Sequence, residues 1–208
     1  MRIITIALLC TLTYGCSSNQ LKDEEVVHNV SDQQGGTPLF LAMMKDDKSA
    51  ANDYISDSKY INTSRSDGVS PLMLASIKGF NNLAANLIAM EADIDAVTIL
   101  GKYGTTVGMT ALMFSAESGN ASLTELLVSK NADIHLQDEN GMTALMYAVT
   151  SKNLETVMVL GEAGASYYHV TNKKGHTAAT IAKLMKLNEI FTYLQKKNSE
   201  AVKKQFLN

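Results

Sequence analysis

The sequence predicts an all-α fold, a solenoid of about five helix-turn-helix repeats with β-hairpin fingers. Two observations predict it: a short motif returns at nearly constant spacing, and apolar residues follow each copy at helical intervals. The composition agrees, because 46% hydrophobic and 19% charged residues are typical of a packed chain rather than a disordered one. A net charge of -3 provides no positive field that would attract nucleic acid.

Residues 1–15 have the composition of a secretory signal peptide. Arg2 supplies the positive charge, and residues 3–12 form an apolar run that is shorter than the roughly 20 residues a membrane-spanning helix needs. Cys16 follows Gly15, which resembles the cleavage site of bacterial lipoproteins and predicts lipidation of Cys16. The two residues before Gly15 depart from the usual pattern of Leu and then a small residue, so ordinary cleavage after Gly15 is the alternative.

The two cysteines of the chain are Cys10 and Cys16, so the mature protein would hold no internal disulfide although it would enter an oxidising compartment. Ser17, rather than Asp, follows the second cysteine, and by resemblance to enteric lipoproteins this implies transport to the outer membrane. We therefore expect a location in the bacterial periplasm, with a lipid anchor in the outer membrane. Residues 16–34 would comprise the lipidated cysteine and a polar tether.

Residues 35–194 contain the repeated motif, whose five copies begin at glycines near positions 35, 68, 108, 141 and 175. These glycines are 33, 40, 33 and 34 residues apart. In each copy the glycine permits the positive φ of a tight turn, and the Thr or Ser two residues later can cap a helix. Pro at the first helical position costs nothing, and Leu and Ala then recur at helical spacing. A second helix is predicted after a break in each repeat, as in residues 79–88, 120–128 and 153–160.

Five copies of this motif in phase resemble the ankyrin-repeat family, whose period is about 33 residues and whose core motif is Thr-Pro-Leu-His-x-Ala. The resemblance covers residues 35–194 and implies stacked helix pairs whose open face binds proteins. Glu91 and Asn131 stand where the family has a helix-ending glycine, and Glu91 predicts a strained turn because Glu tolerates the left-handed conformation poorly. Residues 195–208 form a basic tail, either an exposed helix or a frayed end.

The spacing of 40 residues exceeds the period by seven, and the surplus lies in residues 97–107. In the ankyrin family this segment would be an enlarged finger that projects from one edge. A long loop in a compact domain is usually functional or disordered, so we expect this finger to contact a partner. The alternative is that its apolar side chains fold back onto the neighbouring repeat. The last repeat has Ala178 and Ala179 in place of Pro and Leu, and Lys183 and Glu189 suit a polar cap.

The sequence contains no recognisable catalytic or metal-binding motif, and we predict neither enzymatic activity nor a cofactor or metal site. His28, His135, His169 and His176 are scattered, and no two of them have the one-turn spacing of a zinc site. No serine lies in a G-x-S-x-G elbow, and residues 101–104 lack the frame of a phosphate-binding loop.

The predicted partner-binding residues lie beside the finger glycines and just after the Ala of the first helices. These positions should face outward on the concave side of the stack. Several are apolar where a solvated surface would be polar, and Tyr is enriched at interfaces. The set comprises Val69, Ile77, Lys78, Ile99, Leu100, Tyr103, Met109, Glu117, Glu139, Asn140 and Met142.

The signal segment and the repeats together are similar to small bacterial ankyrin-repeat lipoproteins, some of which are immunity proteins. This resemblance implies a protein partner, a toxic effector such as a phospholipase delivered by contact-dependent secretion. The chain, expected to be a monomer before binding, would cover the active-site entrance of that effector. The alternative among binding proteins is a periplasmic accessory protein of an envelope enzyme, such as a catalase-type antioxidant. A third hypothesis is an enzyme with a cryptic lipid-modifying site, for which the sequence shows no Ser, His and Asp cluster.

Overall fold

The described parts of the chain, residues 37–99, 106–167 and 170–206 of a computed structural model, consist of helices joined by short turns. In chain order the α-helices are α1 (Pro38–Met44), α2 (Lys48–Ile55), α3 (Pro71–Lys78), α4 (Asn81–Ala89), α5 (Ala111–Glu117), α6 (Ala121–Ser129), α7 (Ala144–Thr150), α8 (Leu154–Glu162), α9 (Ala178–Leu184) and α10 (Asn188–Phe206). A 3-10 turn, Ser58–Tyr60, follows α2. Odd-numbered helices are called inner and even-numbered helices outer.

The five helix pairs confirm the predicted all-α repeat solenoid. Each inner helix packs on the inner helices of the adjacent repeats, and the outer helices pack on one another in the same order. The signal segment, the tether, Leu100, Tyr103 and the two residues 168–169 lie outside the described residues. The predicted tail continues α10 as helix to Phe206.

The inner helices begin where the capping residues predict. Thr37 and Ser70 accept hydrogen bonds from the backbone N–H three residues later, and Pro38 and Pro71 occupy the first helical position. Thr110, Thr143 and Thr177 cap the remaining inner helices in the same way. Each copy of the repeated motif therefore marks the start of an inner helix.

Left-handed residues end the helices at matching positions. Glu91 (φ 63°) and Asn131 (φ 64°) adopt this conformation where outer helices end, as the sequence predicted. After the inner helices the same conformation falls on Asp46, Gly79, Gly119, Lys152 and Lys186, with φ between 59° and 69°. A non-glycine residue in this region costs about 1–2 kcal/mol, so the turns other than those at Gly79 and Gly119 store strain that the packing of the repeats offsets.

The core runs continuously through the stack. Its centre is formed by pairs of neighbouring Leu and Met side chains that are at most 1% exposed, namely Leu72 and Met73, Leu112 and Met113, and Leu145 and Met146. Full burial of one such side chain contributes about 1.5–3 kcal/mol. Because the inner helices that carry these pairs pack against the inner helices of both adjacent repeats, the burial is a property of the stack and not of a single repeat.

Asparagine side chains connect neighbouring repeats at the start of the outer helices. The Asn120 amide donates to Asn81 Oδ1 at 2.7 Å, and the Asn153 amide donates to the Gly119 carbonyl at 3.0 Å. Asn120 also accepts from the Leu123 N–H, which caps α6. One side chain thus both caps its own helix and contacts the preceding repeat.

The fingers precede the inner helices, at residues 65–69, 98–109, 138–142 and 172–176. In each, the first residue donates its N–H to the carbonyl of the last at 2.9–3.1 Å, and the finger glycine donates to the carbonyl of the first. The predicted β-hairpins are turns in the described residues, because so short a closure leaves no room for a ladder of strand pairs. One backbone hydrogen bond joins each finger to the next: Ile99 to Asp67, Glu139 to Val107, and Lys173 to Asn140.

The glycine of the 65–69 finger is needed for two reasons. Gly68 has φ +84°, and a Cβ there would lie 2.6 Å from the Ile99 backbone nitrogen. Gly175, in the last finger, has φ +75° but open space around its Cβ position. Substitutions at these two glycines can therefore be compared. Gly175 reports the free-energy cost of positive φ alone, and Gly68 reports that cost together with the steric clash.

We predict that Gly175→Ala lowers the free energy of unfolding by about 1 kcal/mol, the conformational cost alone. Gly68→Ala should cost clearly more, because the methyl group must displace the backbone of the next finger. Urea denaturation followed by circular dichroism measures both. Equal losses for the two variants would contradict the close approach of neighbouring fingers.

Candidate protein-binding surface

One position of the inner helices forms an exposed row along the stack. Its members are two residues after the Ala of the motif or at the matching site: Met44, Ile77, Glu117, Thr150 and Leu184. Met44 is 51% exposed, Ile77 42% and Leu184 64%. Large apolar side chains that remain in water beside charged groups are typical of protein interfaces. We call these five residues the inner-helix row.

Charged side chains border this row. Lys78 Nζ lies 3.0 Å from Asp46 Oδ1 of the preceding repeat. Such a surface pair contributes at most about 1 kcal/mol, so a partner can replace it at little cost. Glu117 is an exposed residue of the row. Partial burial nevertheless removes water from its carboxyl group and raises the pKa of that group.

The enlarged finger keeps the closure of an ordinary finger at its base. Thr98 occupies the position of Asp138 in the next finger: its N–H donates to the Met109 carbonyl, and its carbonyl accepts from the Gly108 N–H. The Thr98 hydroxyl oxygen also accepts from the Met109 N–H at 2.9 Å. The seven additional residues are therefore inserted at the tip, between Thr98 and Gly108, and leave the base unchanged.

Apolar side chains remain exposed where the enlarged finger leaves its base. Val97 is 43% exposed and Ile99 59% exposed, so a large part of each side chain remains in water, although Ile99 Cγ1 lies 3.0 Å from the position that a Cβ on Gly68 of the preceding finger would occupy. Leu100 and Tyr103, which the sequence places in the same cluster, lie outside the described residues.

Glu139 forms two hydrogen bonds with Val107, in the C-terminal part of the enlarged finger. Its N–H donates to the Val107 carbonyl at 2.8 Å, and its carboxylate Oε1 accepts from the Val107 N–H at 3.3 Å. Glu139 is exposed, as predicted for a partner-binding residue, but its contacts within the chain orient the finger. Asn140, the next residue, is also exposed.

Two predicted surface residues are instead core residues. Val69 is 3% exposed and Met109 2% exposed, so the prediction that they face outward is wrong. The reason is the turn closure: Asp67 Oδ1 accepts from the Val69 N–H and Thr98 Oγ1 from the Met109 N–H, which turns both side chains inward. Met142, at the same position, is half-buried against the core.

A buried tyrosine connects inner helix α7 to the 138–142 finger. The Tyr147 hydroxyl donates to Asp138 Oδ2 at 2.6 Å, while Asp138 Oδ1 accepts from the Asn140 and Met142 N–H groups at 2.8 Å. Asp138 is 6% exposed. Burial, and then the Asp138 carboxylate, raise the pKa of Tyr147 above its ordinary value.

Sequence reasoning missed three exposed apolar residues of this surface. Met44 and Leu184 belong to the same repeat position as Ile77, and aligning the first and last repeats with the second would have found them. Val97 lies in the predicted enlarged-finger segment, residues 97–107, but not in the predicted binding set. All three have exposures comparable to those of the predicted Ile77 and Ile99.

The described residues lack both a metal-ligand cluster and a bilayer-spanning helix. These residues contain no group of three or more His, Cys, Asp or Glu side chains that could hold a metal ion. None of their helices is both long enough and apolar enough to span a bilayer.

The chain belongs to the ankyrin-repeat family. The family model for ankyrin repeats in three copies matches residues 97–169 and 112–205, which together cover just over half of the chain. Ankyrin repeats bind protein partners, and members of the family are typically protein-binding scaffolds. The inner-helix row and the finger bases are thus a candidate protein-binding surface on a protein-binding fold.

Several known proteins share the repeats. A putative ankyrin repeat-containing protein of Treponema pallidum is 35% identical over 117 residues, which is 56% of this chain and 37% of that protein. Mouse ankyrin repeat and SAM domain-containing protein 6 is 32% identical over 50% of this chain and 11% of its own length. Human transient receptor potential cation channel subfamily A member 1 is 31% identical over 62% of this chain and 11% of its own length. The chain therefore spans well under half of these relatives.

We predict that Tyr147→Phe lowers the free energy of unfolding at neutral pH by about 1–3 kcal/mol, because the buried Asp138 carboxylate loses a donor. The parent should also lose stability as the pH rises above 10. Its unfolded state then releases the tyrosine proton that the folded state retains, since the folded pKa is the higher one.

Urea denaturation at pH 7 and between pH 10 and 11 tests both effects. The slope with pH should be smaller in the variant but not zero, because the pKa values of Tyr167 and Tyr193 are also raised, mainly by burial. Identical slopes in parent and variant would contradict the role of Tyr147.

Proposed function

We propose that the chain is an immunity protein, which binds a toxic effector of the phospholipase type in the bacterial envelope and blocks it sterically. The exposed apolar side chains of Ile77 and Ile99 are the observation on which this proposal chiefly depends. The predicted signal segment and Cys16 support a site of action in the envelope. The proposal extends the protein binding that defines the family.

The mechanism requires only a surface that covers the effector's active-site entrance. A stable interface buries about 800 Å² on each partner, and a few well-packed apolar side chains contribute most of its affinity. The inner-helix row provides Met44 and Ile77 on adjacent repeats, and the enlarged finger adds Val97 and Ile99. Glu139 stabilises this finger against the next repeat, which lowers the entropic cost of binding.

A lipid anchor at Cys16 would keep the inhibitor beside the membrane on which a phospholipase acts. Confinement to the same surface raises the effective concentration of the inhibitor without any new contact. We therefore propose attachment to the periplasmic side of the outer membrane.

We predict that Ile77→Glu and Ile99→Glu each weaken capture of the effector at least tenfold, because a buried unpaired carboxylate is introduced at the interface. Met90→Glu is the matched control: Met90 is 43% exposed, like Ile77, but follows outer helix α4. The assay is co-purification with the product of the adjacent reading frame, together with growth when that product is expressed in the periplasm.

Circular dichroism must show unchanged helix content in all three variants. Capture that is as strong with Glu at positions 77 and 99 as in the parent would refute the inner-helix row and finger as the binding surface. An adjacent product that is not toxic and resembles an antioxidant enzyme would instead support the accessory role.

For the anchor, Cys16→Ser should move the protein from the membrane fraction to the soluble periplasmic fraction and abolish labelling by radioactive palmitate. The reason is that the thiol is the atom to which the lipid is attached. Ser17→Ala, at the adjacent position, serves as the control and should leave both readouts unchanged. A membrane fraction that Cys16→Ser does not alter would exclude the lipoprotein hypothesis.

A further inference from the structure

A groove lies between outer helices α6 and α8. It has a volume of about 520 Å³, and its apolar lining includes Val128, Val159 and Met158. Met158 is 41% exposed, whereas Val157 and Leu160 of the same helix are fully buried. This face belongs to the outer helices, whereas the proposed effector-binding surface belongs to the inner helices and fingers.

The charged residues that line the groove are three glutamates, Glu125, Glu155 and Glu162. No Lys, Arg or His is among its described lining residues. An apolar floor with a negatively charged rim favours a ligand that has both an apolar part and a basic part.

The chain itself shows how a basic segment contacts this helix. On the other side of α8, Lys197 of α10 places its Nζ 2.5 Å from Glu162 Oε1, and the Tyr193 hydroxyl lies 3.4 Å from the same oxygen. Lys197 lies over the Tyr193 ring at 5.9 Å. An aromatic residue and a lysine one turn apart on a helix therefore complement the acidic face of α8.

The other two glutamates have no such complement. Neither Glu125 nor Glu155 forms an ion pair with another residue in the described ranges. Glu155 lies in the first turn of α8, where a carboxylate stabilises the helix dipole, but Glu125 lies in the middle of α6, where this explanation does not apply. Of the three groove glutamates, Glu125 and Glu155 are thus available to a basic ligand.

We propose that the α6–α8 groove binds a basic polypeptide segment in which an apolar anchor is followed, one helical turn later, by Lys or Arg. The anchor would contact Met158 and Val159, and the basic groups would pair with Glu125 and Glu155. This site is independent of the proposed immunity function, and it gives the protein a second binding face.

The probe is a synthetic peptide of residues 193–204, which carries the Tyr193 and Lys197 pattern and three further lysines. Its effect is read from the methionine ε-methyl resonances of the full chain labelled with ¹³C. The Met158 resonance should shift in a saturable manner, while that of Met90, on another outer-helix position, stays unchanged. A peptide with the four lysines replaced by glutamate should not shift either resonance.

Glu125→Lys should weaken peptide binding about fivefold, and the double variant Glu125→Lys with Glu155→Lys more strongly, because attraction becomes repulsion. Asp53→Lys, an exposed charge reversal on α2, is the matched control and should leave binding unchanged. Added salt should also weaken binding. The proposal is overturned if Met158 does not respond, if the glutamate peptide binds equally well, or if Glu125→Lys leaves the affinity unchanged in a folded protein.

Failure here and failure of the immunity proposal are distinguishable. The peptide experiment uses no effector, and Ile77→Glu should leave peptide binding intact. Conversely, the groove variants need not affect effector capture.

Discussion

The constraint on which the structure depends is that no helix pair can bury its own apolar face. Leu72 and Met73 of α3 are inaccessible because repeats on both sides cover them, and the same holds for the matching residues of α5 and α7. Stability of such a stack is a sum of contacts between neighbours, so a weakened interface affects two repeats and not the whole chain equally. The surfaces that remain in water, on the inner helices and on the outer helices, are then free to vary for binding.

The fingers show where the stack can accept additional residues. Neighbouring fingers approach so closely that Gly68 has no space for a Cβ beside Ile99, yet the enlarged 98–109 finger carries seven additional residues. The two facts are compatible because Thr98 and Gly108 preserve the closure at the base, and the insertion lies beyond it. A longer surface loop costs little additional entropy, whereas a displaced base would disrupt contacts with two repeats. Variation is therefore confined to the finger tip, where it can enlarge a binding surface.

The two exposed faces differ in chemistry, which argues for different ligands. The inner-helix row offers Met44, Ile77 and Leu184 with charges of both signs nearby, as at a protein interface. The α6–α8 groove offers an apolar floor under carboxylates alone. Because the two faces belong to different helices, they can be occupied at the same time, so that one repeat domain can connect two partners or hold one partner from two sides.

Local features could be predicted from the sequence: the starts of the inner helices, the left-handed turns at Glu91 and Asn131, and the place of the insertion. Capping by Thr and Ser, Pro at the first helical position and the conformation of Glu91 are decided by atoms within a few residues, so the pattern predicts them. The burial of finger side chains instead depends on contacts between repeats, which the local pattern does not reveal. Val69 and Met109 turn inward because finger closure directs them into the contact between repeats. The contact between Glu139 and Val107 and the groove between α6 and α8 each join residues about one repeat apart in the sequence. Such contacts depend on how one repeat stacks on the next.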